Sequence, residues 1–590
     1  MDDDSTQKPE QQEVPVVEEQ PKEPGTLPLE TEAEEPVEEE PLEENKEVEV
    51  PAPDESTEAP ENLVDETAGE KKKKKKTTLI LLIVFLVLLV GGVVAYLLFS
   101  GGVKRDQRGD IDYNEKDEKD HISKSVFSIK GNDLDDFDLS FLKLENEKDK
   151  NIVYSPLSIK YALAMLNEGA DGESKEQIED ILGAYHPKIY QNSANLSLAN
   201  AFFVNSVYRD KIKDAYISSL SDNYRAEVIF DDFASPANIN SWISNKTFNL
   251  VNDMLKETNP DLDYFYLINA LAIDMEWVNK IQSDSMYNDS FMYESYSNRV
   301  MPLMGRSGAL FGNTHVDASR VAATINKYNI IQELGEDGIR NAVQEKYNSW
   351  ASDEQRTNHC TVDEIQSQAP NLDEYVNTLK NHYGYINSST DFYLYSDEDV
   401  KVFAKDLKTY NGNTLQYVGI MSKQKELDEY IKDASASEIN TLLGKLKSIN
   451  LDSFSDGVIT KIYGDIPWFD FDYDLSLQND LAIMGITDIF IPEKANLGNL
   501  GTFDDDEVVF ITKALHSANI AFSNDGIKAG AATVIGGGGG GGGDCRFSYN
   551  FEVPVEEIDL TFDHPYMFLV RDKDSGEVWF AGTVYEPTPF

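Results

Sequence analysis

The run Asn151-Ile-Val-Tyr-Ser-Pro-Leu-Ser-Ile159, continued by Ala162-Leu-Ala-Met165 and Gly169-Ala-x-Gly172, decides how the rest of the chain is read. Apolar residues from Ile159 to Leu166 recur at helical spacing, as do Leu134, Phe137, Phe141 and Leu144 just upstream. Further along, Val402-x-Ala404, Leu415-x-Tyr417 and Phe568 to Val570 have the pattern of strands. Helices and hairpin-like strands mix without a βαβα rhythm, which predicts an α+β fold rather than a parallel α/β sheet.

The 590 residues around this run suffice for one large domain with appendages or for several average ones. Hydrophobic residues make up 41% and aromatic residues 11%, ample for a sizeable core. Lys and Arg number 52 against 106 Asp and Glu, a net charge of 52 − 106 = −54. So acidic a chain repels nucleic acid and anionic lipid headgroups, and no nucleic-acid partner is expected. The two cysteines, Cys360 and Cys545, exclude a disulfide framework, a zinc knuckle and a Cys-x-x-Cys redox pair. Seven histidines lack any His-Glu-x-x-His run or paired metal spacing, so neither a metal nor a cofactor is expected.

Residues 1–70 hold 26 acidic residues, three lysines, ten prolines and no aromatic, and cannot offset the entropy of ordering. A disordered acidic cytoplasmic tail is expected over 1–76, ending in the lysines Lys71 to Lys76. Leu79 to Phe99 is apolar except for Gly91-Gly92 and Tyr96, and 21 residues at about 1.5 Å each cross a hydrocarbon core. A transmembrane helix is expected over 77–100 and a polar linker over 101–120. Six lysines before the span outweigh Lys104, Arg105 and Arg108 after it, which puts the N-terminus in the cytoplasm and residues beyond about 101 outside the cell.

The opening run resembles the first buried helices of the serpin family, and further likenesses follow in order. Gln177-Ile178 with Leu182-Gly183 continues the pattern. Ala199-Asn-Ala-Phe-Phe-Val204 resembles the first strand of that family's central sheet. Tyr224-x-Ala226-Glu-Val228, Asp232-Phe233, Ile239-Asn240-x-Trp242 and Thr247 resemble the helix lying across it and the segment before that helix. Leu267-Ile-Asn-Ala270 through Trp277 resembles the next strand. Asp474-Leu475, Met484-Gly-Ile-Thr-Asp-Ile-Phe490 and Ala514-Leu-His516 resume the pattern. His564-Pro-Tyr-x-Phe568-x-Val-Arg-Asp572 and Phe580-x-Gly582-x-Val584-x-x-Pro587 resemble the closing hairpin. The resemblance implies a bacterial, monomeric serpin over residues 121–590, and the apolar span makes it a membrane-anchored one. Its fold would have three β-sheets, surrounding helices and an exposed reactive loop. A serine or cysteine peptidase would cut the loop as an acyl-enzyme and be trapped as the loop inserts into the central sheet.

The hinge of that loop is Gly526-Ile527-Lys528-Ala529-Gly530-Ala531-Ala532-Thr533. Ile527, Ala529, Ala531, Thr533 and Ile535 form the small or apolar inward face that a period-2 buried strand requires. Ile527 stands where the resemblance implies Thr or Ser, and Asn524 where it implies Glu. Gly536 to Gly543 are eight consecutive glycines, and family spacing puts the scissile bond between Gly540 and Gly541. Arg546 is a second-ranked bait, and a flexible tether is the alternative reading of the glycines. From Gly526 to Pro565 the loop looks over ten residues longer than the family pattern.

Ser155, Ser158, Asn269 and His516 match the family's hydrogen-bonded cluster beneath the central sheet, and Trp277 marks where the loop first enters. A satisfied core cluster is the alternative for the four polar residues, and an ordinary core aromatic is the alternative for Trp277. Between Phe311 and Val402, Tyr328 to Trp350 and Val362 to Tyr383 have helical spacing, so a surface helical insertion is expected over about 312–400, serving as an exosite or as padding. Cys360 and Cys545 are read as two buried thiols, with a disulfide outside the cell as the open alternative. No Gly-x-Ser-x-Gly elbow appears, so an enzyme is not expected. The rival reading is a surface binding or chaperone-like protein on the same fold that never inserts its loop.

Overall fold

The computed structural model describes residues 127–281, 309–504, 507–527 and 545–588. The expected tail, transmembrane helix and linker lie outside these residues. So do hinge residues Lys528, Ala529, Gly530, Ala531, Ala532 and Thr533 and the Gly540-Gly541 bond. Among the described residues no helix is long and apolar enough to cross a membrane.

The chain begins with α1 (Asp136–Leu144), β1 (Ile152–Tyr154), α2 (Pro156–Gly169), α3 (Gly172–Leu182) and β2 (Leu196–Asn205). It continues through α4 (Asp214–Tyr224), β3 (Glu227–Asp231), α5 (Ala237–Lys246), β4 (Phe265–Ile273) and β5 (Met275–Glu276). Next come β6 (Ala309–Phe311), β7 (Thr314–Val316), β8 (Ala318–Asn326), α6 (Ile330–Ala351), α7 (Glu354–His359), α8 (Val362–Ser367) and α9 (Leu372–Asn381). Then follow β9 (Tyr385–Ser388), β10 (Tyr393–Ser396), β11 (Val400–Asp406), β12 (Leu415–Ser422), α10 (Leu427–Asp433), α11 (Ala436–Gly444) and β13 (Lys447–Ser448). The last elements are β14 (Ile459–Pro467), β15 (Phe469–Ser476), α12 (Leu477–Met484), β16 (Leu515–Phe522), β17 (Gly526–Ile527), β18 (Val555–Asp559), β19 (Tyr566–Asp572) and β20 (Val578–Val584).

Three larger sheets organise these elements, as the resemblance implies. One runs β1-β20-β19-β12-β11-β10-β13, and a second runs β18-β14-β8-β9. The central sheet is in two halves, β3-β2-β4 and β15-β16-β17-β5; β4 and β5 are consecutive strands with Asp274 alone between them.

The opening run folds as its chemistry dictates. Ser155 Oγ accepts from the Ser158 N–H at 3.1 Å, and Pro156 takes the first helical position, where its missing donor costs nothing. The helix α2 that follows is buried from Pro156 to Tyr161. Strand β2 is buried along its whole length because both faces are covered. Helix α5 lays Ile239 and Ile243 over Phe203 and Tyr266, while Phe202 and Val204 face the main core. The aromatic residues Trp277, Tyr417, Phe469, Phe522 and Phe568 pack with centroids 4.7–6.5 Å apart and weld the seven-stranded sheet to the upper end of the central one.

Two expectations change. The insertion is narrower than 312–400: its helices span 330–381, whereas β7 and β8 before them and β9 and β10 after them join sheets. Burial alternates over 318–321 and is continuous over 321–326, so β8 is a sheet strand paired along its length with β14. Cys360 and Cys545 are not two thiols but one disulfide, with Cα atoms 5.8 Å apart. Residues 545–553 run along α6 and α9 and bring the two sulfurs together across a sequence separation of 185.

Candidate functional site

The site is the parting of the central sheet. At its upper end Gly526 pairs with Glu276 and Ile527 with Met275, while Ile527 also pairs with Phe522. The two residues of β17 therefore sit between β5 and β16. Gly526 is required there by close approach: a Cβ would lie 2.1 Å from the Met275 carbonyl oxygen and 2.7 Å from the Glu276 Cα. Ile527 is buried in the core beside its partners, so its extra bulk relative to Thr or Ser is accommodated. Below β17, among the described residues, no ladder joins β4 to β16. Among the described residues the outer edge of β4 pairs with no strand, and β16 short of Phe522 pairs with β15 alone.

Trp277 holds the mouth of this parting. Its indole N–H donates to the Ser523 carbonyl at 2.9 Å, and its backbone N–H donates to the Asp525 carbonyl at 3.1 Å. The ring is fully buried against Phe522 and Tyr417. Ionic contacts run over the same turn. Lys280 bridges Glu276 at 2.9 Å and Asp525 at 3.0 Å, and Lys408 contacts the Glu276 carboxylate as well. Hydrogen bonds from Lys408 and then Lys280 hold the Glu276 carboxyl at about 2, well below the usual range. Among the described residues the Asn524 side chain donates no bond to this network; its carbonyl instead accepts from the Ile281 N–H at 2.9 Å.

Lower in the sheet, Ser155 and His516 meet. The Ser155 N–H donates to His516 Nε2 at 2.9 Å, while its side chain caps the turn at Ser158. The His516 ring is neutral at physiological pH: burial pushes it down to about 4, against the opposing pull of Asp474. Asn269 belongs to a different pair. Its Nδ2 donates to Asn200 Oδ1 at 2.7 Å across the β2–β4 ladder, and Asn200 Nδ2 donates to the Tyr224 carbonyl at 2.7 Å. The structure thus joins Ser155, Ser158 and His516, places Trp277 at the mouth, and sets Asn269 on the facing strand without a bond to the histidine. Asn200 and the ionic residues Lys280 and Lys408 were missed. Asn200 had a signal: it is a polar residue set between two alanines in a mostly apolar, fully buried strand.

Beyond the expected bait, Cys545 is bonded to Cys360, and Arg546 is exposed. Phe547 packs on Tyr347 and Trp350 with centroids 5.3 and 5.5 Å away. The surplus length of this loop is residues 545–554, laid along the inserted helices ahead of β18.

A family model described as "Serpin (serine protease inhibitor)" matches residues 133–324 and 372–587. Among curated proteins, neuroserpin of Mus musculus is 22% identical over 462 residues, covering 75% of this chain and 87% of that protein. Plasminogen activator inhibitor 1 of Bos taurus is 22% identical over 464 residues, covering 75% and 88%. Among solved structures, the thermophilic serpin tengpin in its native state aligns with a TM-score of 0.49 at 21% identity, covering 76% of this chain and 92% of that one.

Proposed function

The chain belongs to the serpin family, and from that premise we propose that it is a suicide inhibitor of serine or cysteine peptidases, acting by loop cleavage and insertion. The chain itself is not an enzyme; its family model is that of a peptidase inhibitor. The carrying observation is the parting of the central sheet, seeded at its mouth by Gly526 and Ile527 and unladdered below them among the described residues. Adding a strand there would satisfy two rows of backbone donors and acceptors at once. Small residues at Ala529, Ala531 and Thr533 fit the inward face of such a strand.

Inhibitory relatives support the reading, since the matched proteins include an inhibitor of plasminogen activator by name. The bait is the Gly540-Gly541 bond, and Arg546 is the poorer candidate because it stands between an anchored Cys545 and a packed Phe547. The domain acts outside the cell as a monomer, held by the span at 77–100 with the acidic tail in the cytoplasm. The Cys360–Cys545 bond favours that placement, because disulfides persist in oxidising compartments.

Incubation with a panel of serine and cysteine peptidases tests the function. The expected result is a complex that survives SDS, and a large rise in melting temperature when the loop is cut. Cleavage without either would favour the surface-binding alternative. Peptidase added to intact cells should degrade the domain and spare the tail, and protection of both would overturn the external placement.

A further inference from the structure

The family match stops at residue 324 and resumes at 372, so α6, α7, α8 and Cys360 lie in a part of the chain that the family pattern does not supply. This added part grips the chain just past the bait. Phe547 lies between Tyr347 and Trp350, and Lys346 stands over the Tyr549 ring at 5.8 Å. Phe551 is buried with Ile339, Val343 and Ile459 in one cluster, and Tyr347 is itself braced by a 2.9 Å hydrogen bond to the Ile365 carbonyl. Cys545 is bonded to Cys360.

Resting on the inhibitory reading above, we propose that the Cys360–Cys545 bond and the α6–α9 helices are a redox-dependent anchor that keeps the uncut loop from inserting along the central sheet. The argument is one of chain length. Ile527 pairs with Phe522, so a strand running on to the foot of β16 needs seven more residues, opposite Ala521 to Leu515. An uncut chain must come back the same distance, which uses 14 of the 17 residues from 528 to 544. Three residues remain, a reach of about 10 Å.

The anchor is further away than that. Val555 pairs with Ile459, and the inserted helices pack at this end of β14. The other end of β14 leads through Trp468 to Phe469, which pairs with Phe522 at the mouth. Nine residues of β14 separate the two ends, roughly 27 Å at strand rise. While the bond holds, the uncut loop cannot reach the foot of the sheet.

Reduction changes the sum. A dithiol delivers two electrons and two protons, leaving thiols at Cys360 and Cys545 and a cyclic disulfide in the reagent. Residues 545–554 can then peel from the helices and add ten residues, about 34 Å, which makes the full depth attainable without a cut. Cleavage gives the same freedom to the hinge side alone, so the oxidised protein inserts when cut and waits otherwise.

The test uses the full chain in three forms: oxidised, treated with dithiothreitol, and carrying Cys360→Ser with Cys545→Ser. Each is held uncut below its melting transition and sampled for trapping of peptidase, heat resistance and intact mass. The oxidised form should keep trapping. The other two should lose it at least about tenfold faster, which corresponds to ~1.4 kcal/mol on the barrier, and pass into an uncut, heat-resistant product. Equal rates in all three forms, or loss of trapping without that product, would overturn the anchor. The dithiothreitol arm decides the matter if the double variant fails to fold. Should cutting produce no heat-resistant form in any of them, the inhibitory reading fails and the anchor's role goes with it.

Discussion

The backbone N–H of Ser155 donates to Nε2 of His516 at 2.9 Å, so the first turn of a buried helix is fastened to the strand that borders the parting by an acceptor that exists only in neutral imidazole. Protonating Nε2 would set two donors face to face.

That arrangement predicts an acid-sensitive lower sheet. The folded-state value of His516 is depressed to about 4 from 6.5, so the unfolded chain binds its proton first as pH falls. Stability from this group is intact above about 6.5 and declines toward pH 4, by up to about 3 kcal/mol. Asp135, raised to about 6 by burial and by Asp138, titrates in the opposite sense over part of that window. The measurement is therefore the difference in unfolding free energy between the parent and His516→Gln, whose amide oxygen can still accept. The parent should lose stability relative to the variant between pH 6.5 and 4; parallel curves would sink the assignment.

Gly526→Ala should displace β17 from its place between β5 and β16, because the new methyl meets the Met275 carbonyl oxygen at 2.1 Å. A cost of about 1–3 kcal/mol is expected from overpacking against backbone that cannot yield. Thermal melts should register the loss, and cleavage by a target peptidase should give more free cut protein and less trapped complex. An unchanged ratio would show that the seeded strand is irrelevant to insertion.

Ala531→Arg would put an unpaired charge on the inward face of the expanded sheet, a penalty of several kcal/mol. The variant should be cleaved at the parental rate but yield at least about tenfold less SDS-stable complex. Parental trapping by this variant would exclude insertion as the mechanism.

If Gly540-Gly541 is the bond attacked, mass spectrometry of a reduced complex should find a C-terminal fragment starting at Gly541. A bait of glycines offers no side chain to a specificity pocket, so the target should have a shallow or blocked one. A fragment starting at Phe547 would mean that peptidase works between Cys545 and the Tyr347–Trp350 seat, and would point to a trypsin-like enzyme.

The scaffold was readable from the chain because its strongest patterns, such as the Ser155–Ile159 turn and the apolar run of β2, encode local caps and burial. Trp277 and Gly526 were readable through the family resemblance, and the structure shows the steric demand at Gly526, where a Cβ would meet the Met275 carbonyl oxygen. The pairing of Asn269 with Asn200 was not, because it depends on register between strands 69 residues apart in sequence. The disulfide was hidden for a similar reason, since its existence follows from where residues 545–553 lie. Their alternation of Phe547, Tyr549, Phe551, Val553 and Val555 was a period-2 signal of an extended segment packed on one side, and it passed as surplus loop.

Between Cys360 and Cys545 the chain closes a covalent ring, and the bait lies within it. A peptidase acting there opens the ring instead of severing the molecule, adding one water to its mass while both parts remain joined until a reductant arrives. The closed ring also restricts the unfolded chain: at a sequence separation of 185, the chain-entropy relation gives about 5 kcal/mol at 25 °C. Opening it forfeits that contribution at the moment the sheet gains its strand. The rise in heat stability on cleavage is then a net figure in the oxidised protein, the gain from the added strand less the contribution of the ring.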